Sequence, residues 1–257
     1  KIFERFGYDR IETPIICPSE TILGKYGEEG DKLTYNFEDK GGRRIALPYD
    51  LTVPFARLVA ANWQDLPMPF KRYQIQRVWR AEKPQKGRLR EFYQCDIDII
   101  GTRSLICEAE IAKMITVVFS ELGFKNFVIK LNSRRLLNSI LASFKIKDAP
   151  STIRIIDKLG KIGEEGVVSM LLENGVKNAK KIIKLLKPEE KNAETFEKLR
   201  DFDTSEMQEF FDNCKALDVP EKSLQFDPSL ARGLDYYAGI SFEVYCGGLD
   251  LGALCAG

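Results

Sequence analysis

The sequence predicts an α+β fold in which antiparallel strand pairs are flanked by helices and a helical module is inserted before the last strand. Three observations carry this. Lys71–Arg80 and Arg90–Ile100 both alternate as strands do, and only a short basic segment separates them, so they read as an antiparallel pair. The run from Lys32 to Leu47, broken by Gly41-Gly42, reads as a second hairpin. No G-x-G-x-x-G or Walker string occurs, which argues against the parallel nucleotide-binding architectures.

Each element has a local cause. Lys1–Phe6 reads as the end of a helix stopped by Gly7. Tyr8–Ile16 reads as a strand with Ile11, Thr13 and Ile15 on one face. Lys32–Glu38 is predicted as a strand on the alternation of Leu33, Tyr35 and Phe37, and Arg43–Leu47 returns. Asp50 or Thr52 caps a helix that has Pro54 in its first turn and runs through Ala61. Between the two long strands, Glu82–Arg88 contains Pro and Gly and is predicted to be a mobile loop. Ile111, Met114, Ile115, Val118, Phe119 and Leu122 recur at helical spacing, with Gly123 as the stop. Phe127–Leu131 is a short strand, and Ser133 caps a helix through Phe144. From Ile146 to about Val219 the text becomes Lys/Glu-rich, with helical periodicity and little strand character. Strand signal returns at Ser241–Tyr245.

Composition narrows the chemistry. Apolar residues are 44% of the 257, enough for a substantial core, and no apolar run is long enough to span a bilayer. No secretory signal is expected at Lys1–Phe6, and the six cysteines contain no C-x-x-C pair, so reduced thiols in a cytoplasmic protein are the expectation. A formal charge of +1 neither demands nor excludes a nucleic-acid partner. The chain has no histidine, which excludes Ser-His-Asp triads, Cys-His dyads and His-ligated zinc within it. Reactions in which the substrate brings its own nucleophile suit the remaining inventory best.

Three stretches stand out. In Arg77–Asp98, strand alternation puts Gln94, Asp96 and Asp98 on one face, opposite Tyr93, Cys95 and Ile97, next to an Arg-bearing hairpin. That is a polar floor, or equally a solvated sheet face with scattered ion pairs. In Ala231–Gly239 an Arg-Gly-Leu-Asp-Tyr-Tyr string reads as a charged ligand site, against an ordinary turn with a core tyrosine pair. The third stretch is Leu47–Pro54, a helix start with Asp50 or Thr52 as its cap.

Together, in this order and spacing, the three stretches resemble the histidyl-tRNA synthetase family, a class II aminoacyl-tRNA synthetase, over nearly the whole chain. The first is similar to the family's second class motif and the second to its histidine-specific motif. Gly7 with Pro14 is similar to the first class motif, which builds a dimer interface. The resemblance implies a catalytic domain of residues 1–145 and 220–257, incomplete at both ends, with 146–219 as an inserted helical domain. It implies ATP-dependent activation of histidine, transfer to tRNA(His), Mg²⁺ with the ATP, and a homodimer. Arg80 and Arg232 are then catalytic. Arg80, Glu82 and Arg88 bind ATP. Asp50, Thr52, Gln94, Asp98, Tyr236 and Tyr237 bind histidine, and Lys83, Gln85 and Lys86 meet the tRNA acceptor end. Two departures stand beside this: Pro48 where the family usually has Arg, and no third class motif before Gly257, so the chain is expected to be a fragment. A regulatory paralogue that binds histidine or tRNA without charging it is the runner-up, weighed down by retention of Arg80, Arg88, Arg232 and the tyrosine pair. An accessory subunit built on this fold would have no reason to keep Asp50, Gln94 and Asp98.

Overall fold

Helix α1 (Ile2–Arg5) ends where Gly7 takes a φ of +77°, a left-handed turn that residues with a Cβ rarely adopt. It opens a computed structural model that describes residues 1–232, 238–249 and 251–257. The chain divides into two units, Lys1–Ser104 and Leu105–Gly257.

In the first unit, β1 (Asp9–Arg10) runs parallel to β5 (Phe70–Trp79), which pairs antiparallel with β6 (Glu91–Ile100). A second sheet is formed by β2 (Cys17–Pro18), β3 (Asn36–Glu38) and β4 (Arg44–Ala46), with β4 in the middle. Helices α2 (Ser19–Ile22), α3 (Gly27–Lys32) and α4 (Thr52–Asn62) complete it. Ile22, Tyr26 and Ala46 make a small buried cluster.

The long strand pair, the hairpin and α4 follow the sequence reading closely. Three features differ. The predicted strand over Lys32–Glu38 begins only at Asn36, because Gly27–Lys32 is helical and Leu33 closes that helix. The predicted strand from Tyr8 to Ile16 pairs over two residues, and Ile11 N–H adds one bond to Tyr73 O at 3.0 Å; Pro14 has no N–H to extend the ladder. The segment between β5 and β6 is hydrogen-bonded rather than open: Arg88 N–H reaches Gln85 O at 2.9 Å and Gln85 N–H reaches Arg88 O at 3.2 Å. Gly87 supplies the φ of +78° this turn needs at its third position.

The second unit contains α5 (Ile106–Glu121), β7 (Phe127–Ser133), α6 (Arg134–Ser143), and five further helices with no strand between them. These are α7 (Ala149–Ile156), α8 (Leu159–Glu173), α9 (Ala179–Leu186), α10 (Asn192–Lys198) and α11 (Ser205–Ala216). Then come β8 (Leu224–Phe226), β9 (Ile240–Cys246) and β10 (Cys255–Ala256), in a sheet ordered β10-β9-β7-β8. Ser133 caps α6 as expected, its hydroxyl accepting from Leu136 N–H at 3.2 Å. Helix α5 starts a turn earlier than its apolar periodicity suggests, since Glu108 and Glu110 interrupt the pattern there. One apolar core runs through this unit, from Ala109 and Ile129 through Ile153, Val167 and Ile182 to Phe210 and Val244.

Candidate functional site

The polar floor anticipated on β6 exists, and β5 doubles it. The ladder sets Arg72 opposite Asp98, Gln74 opposite Asp96 and Gln76 opposite Gln94. Six polar side chains therefore share the middle of one face, with Phe70, Val78, Phe92 and Ile100 at its ends. Arg72 and Gln74 are fully buried there. Gln74 Nε2 donates to Thr13 Oγ1 at 2.9 Å and to Gln76 Oε1 at 2.6 Å, and Gln76 Nε2 donates to the Thr13 carbonyl at 3.0 Å.

Asp50 is buried and does two structural jobs as well. Its Oδ1 accepts from Thr52 N–H at 3.1 Å and Val53 N–H at 3.2 Å, capping α4, and from the Tyr26 hydroxyl at 2.8 Å. The Tyr26 ring packs on Tyr49, centroids 4.9 Å apart. Between Asp50 and Thr52 as caps, the structure selects Asp50; Thr52 is the first residue of α4 and supplies a donor.

Arg80 is held by the Tyr49 carbonyl and by two aromatic rings. Its Nε donates to Tyr49 O at 3.0 Å, and its guanidinium lies 4.5 Å from the Tyr49 ring centroid and 5.2 Å from that of Phe92. Pro48, the departure from the family pattern, is buried, and its carbonyl accepts from Trp79 N–H at 2.9 Å. Glu82 and Arg88 pair at 3.5 Å, while Lys83, Gln85 and Lys86 are exposed on the turn.

Electrostatics on this floor are dominated by burial. Burial raises the Asp50 carboxyl against the pull of its hydrogen bonds and of Arg80. It raises Asp98 as well, opposed by Arg72. Asp96 is pushed up to about 7 by burial, opposed by Arg72 and reinforced by Asp98 and Asp50. Arg72 is lowered by burial and supported by all three carboxylates.

In the second unit, Arg232 pairs with Glu243 of β9, whose other oxygen accepts from the Tyr245 hydroxyl at 2.5 Å. The backbone leading to Arg232 is tied down by Asn132, whose Nδ2 donates to Pro228 O and Leu230 O at 2.9 Å each. Arg134 Nη1 reaches the Arg232 carbonyl at 3.1 Å. Tyr236 and Tyr237 lie outside the described residues. A concavity of about 910 Å³ lined by α10 and α11 carries Glu197, Arg200, Asp212 and Lys215 but none of the predicted site residues, and its lining is that of a solvated groove.

Three participants escaped the sequence reading: Arg72, Tyr26 and Glu243. The signal for Arg72 was present, since Arg72, Gln74 and Gln76 alternate on one side of their own strand. Tyr26 had no such signal.

A mainly antiparallel α+β scaffold carrying this polar floor has the fold of the class II aminoacyl-tRNA synthetases, as its solved structural relatives do. The profile of the histidyl-tRNA synthetase family matches residues 1–257. The chain is 40% identical to the histidine–tRNA ligase of Treponema denticola over its whole length, spanning 60% of that protein. The crystal structure of histidyl-tRNA synthetase from a Nostoc species superposes with a TM-score of 0.86 at 32% identity, covering 100% of this chain and 62% of that one. A Bacillus halodurans structure described as an ATP phosphoribosyltransferase regulatory subunit/histidyl-tRNA synthetase shares the fold, with a TM-score of 0.81 at 21% identity. The chain belongs to the histidyl-tRNA synthetase family, and it spans about three-fifths of the length of the relatives it matches.

Proposed function

We propose that the protein activates histidine with ATP and transfers it to tRNA(His). The observation that carries this is the polar floor of Arg72, Gln94, Asp96 and Asp98, bordered by Asp50 and a ring-braced Arg80, in a chain of this family. The histidine carboxylate is already ionised at neutral pH, so its oxygen attacks the α-phosphorus and pyrophosphate leaves without any protein base. Arg80 and Arg232 meet the charge on the phosphate, and Glu82 and Arg88 meet the rest of ATP. Asp50, Thr52 and Gln94 take the ammonium end of histidine, and Asp98, Tyr236 and Tyr237 its ring. Arginine suits the phosphate roles because its fork matches phosphate oxygens.

Mg²⁺ is proposed to arrive on the ATP phosphates as part of the substrate. The exposed turn with Lys83, Gln85 and Lys86 is proposed to meet the tRNA acceptor end. Residues 146–219, helical from α7 to α11, are proposed as an insertion in a catalytic domain formed by 1–145 and 220–257. A cytoplasmic site is proposed; among the described residues no helix is long and apolar enough to cross a membrane.

The test is histidine-dependent exchange of pyrophosphate into ATP by the full-length protein. Exchange with histidine alone is expected. Exchange with another amino acid and none with histidine overturns the reading, and histidine binding without exchange returns the regulatory paralogue. Light scattering on the same preparation checks the proposed homodimer through the Gly7–Pro14 segment, next to which Ile15 is exposed; a monomer that still charges tRNA removes it.

A further inference from the structure

Arg72 is an anomaly that the roles above leave unused. It is fully buried, yet it bonds to no backbone carbonyl: Nε and Nη1 have no hydrogen-bond partner among the described residues. Burying a guanidinium is expensive unless its charge is matched. Among the described residues its direct ionic contact is from Nη2 to Asp98 Oδ2, and the Phe55 ring lies under the guanidinium, 4.3 Å from centroid to Cζ. Phe55 is itself buried in α4 and packs on Phe70, centroids 6.3 Å apart, so the guanidinium sits on a fixed platform. The ladder places Arg72 and Asp98 directly opposite each other.

We propose that Arg72 is a specificity-determining positioning residue: it holds the Asp98 carboxylate ionised and aimed, so that Asp98 can accept a ring N–H of the substrate. This rests on the reading of Asp98 given above. A carboxylate that selects an imidazole must be an acceptor, and one half-withdrawn from water, as Asp98 is, is kept ionised by a fixed positive charge beside it. Arg72 supplies that charge from the side, leaving its partner's remaining lone pairs to a ligand.

A purely structural role, pinning the strand register, is poorly matched to the geometry. Ten consecutive pairs from Phe70–Ile100 to Trp79–Glu91 already fix that register. Buried ion pairs of this kind seldom stabilise a fold more than apolar residues would.

The other groups acting on Asp98 and Arg72 are Asp96 on β6 and Asp50 before α4. Arg80, at the end of β5, acts on Asp50 and Asp96, and the Tyr26 hydroxyl is bonded to Asp50. None replaces Arg72: Asp50 and Asp96 are acids, and among the described residues Arg72 is the group that stabilises Asp98 in its charged form.

The experiment compares Arg72→Met, Arg72→Lys and Asp98→Asn in the full-length protein, measuring KM for histidine and for ATP in pyrophosphate exchange from pH 6.5 to 9. For Arg72→Met the histidine KM is expected to rise roughly 10–100-fold at pH 7 while the ATP KM stays within about threefold. Without the cation Asp98 takes up a proton more readily, so the mutant-to-wild-type ratio of histidine KM should fall as pH rises. Arg72→Lys keeps the charge without the fork, and its histidine KM should rise about 3–10-fold at all pH values. Equal rises in both KM values with a pH-independent ratio, or an unchanged histidine KM, overturn the inference. If Arg72→Met does not fold, Arg72→Lys decides, and an unchanged histidine KM there has the same force. An Asp98→Asn variant with normal histidine KM sinks the reading of Asp98 itself. A weakened Asp98→Asn beside a normal Arg72→Met sinks only the role of Arg72.

Discussion

The two faces of the β5–β6 ribbon reverse the usual assignment of polar and apolar residues. The face carrying Arg72, Gln74, Asp96 and Asp98 is the more withdrawn from water, with Arg72 and Gln74 fully buried and the two acids half-buried, while on the other face Tyr73 is buried but Ile75, Tyr93 and Cys95 are exposed, Tyr93 at 64%. A ribbon selected for stability alone would be turned over, with Ile75 and Tyr93 inside. The second unit follows the ordinary rule: β7 buries Ile129 and Leu131 in a continuous apolar core. The contrast teaches that the first unit gives up stability in order to hold charge in a dry place, where a hydrogen bond to a ligand is strong and discriminating.

The largest test of that contrast is Asp50→Ala. It removes the α4 cap and the carboxylate that accepts from the buried Tyr26 hydroxyl, so it should lower unfolding free energy by about 2–4 kcal/mol, combining the cost of a lost cap with that of a lost buried hydrogen bond. Asp50→Asn keeps an acceptor for both and should lose no more than about 1 kcal/mol. Chemical denaturation of both variants measures the difference. Equal losses would mean that Asp50 is held for charge rather than for hydrogen bonding.

The next effect is electrostatic. Asp96 is pushed up to about 7, well above the ordinary carboxylate range, so the folded state binds its proton more tightly than the unfolded chain does. Stability from this group is therefore fully present below about pH 4 and is lost as pH rises through 7. Asp96→Asn should raise the melting temperature only slightly at pH 4.5, where the folded state still holds the Asp96 proton and only a small part of the loss has been incurred. At pH 8 it should raise it by about 4–8 °C, roughly half of what such a shift allows in a chain of this size, because the Asp96 carboxyl is only half-buried. Thermal scans at the two pH values give the answer. A gain of equal size at both would show that packing, not charge, is responsible.

The legibility of the sequence tracks the same contrast. Strands β5 and β6 were readable to within a residue at each end because alternation and Gly101 are local signals, and Ser133 and Asp50 announced their helices by their side chains. The face shared by Gln94, Asp96 and Asp98 was readable for the same reason. Whether that face was buried was not, because alternation alone does not say which side meets water. Arg72 depends on the register with β6 and on Phe55 beneath it, both of them long-range facts. Helix α3 was hidden behind Gly27 and Gly30, poor helix formers that tertiary context overrides.

The smallest effect belongs to the exposed face. Ile75→Ser removes an apolar side chain that is 49% exposed and opposite Cys95, where little burial is lost. Its cost should stay within about 0.5 kcal/mol, as for surface substitutions away from packing. Histidine and ATP KM values should not move, because the side chain points away from the polar floor. Denaturation at two protein concentrations makes the result more informative. A loss well above 1 kcal/mol that grows with concentration would mean that the face is covered by a second copy in solution, and the reversal of faces would then be only a property of the isolated chain. A small, concentration-independent loss leaves the reversal standing: the ribbon keeps its charges dry on one side and tolerates apolar groups in water on the other.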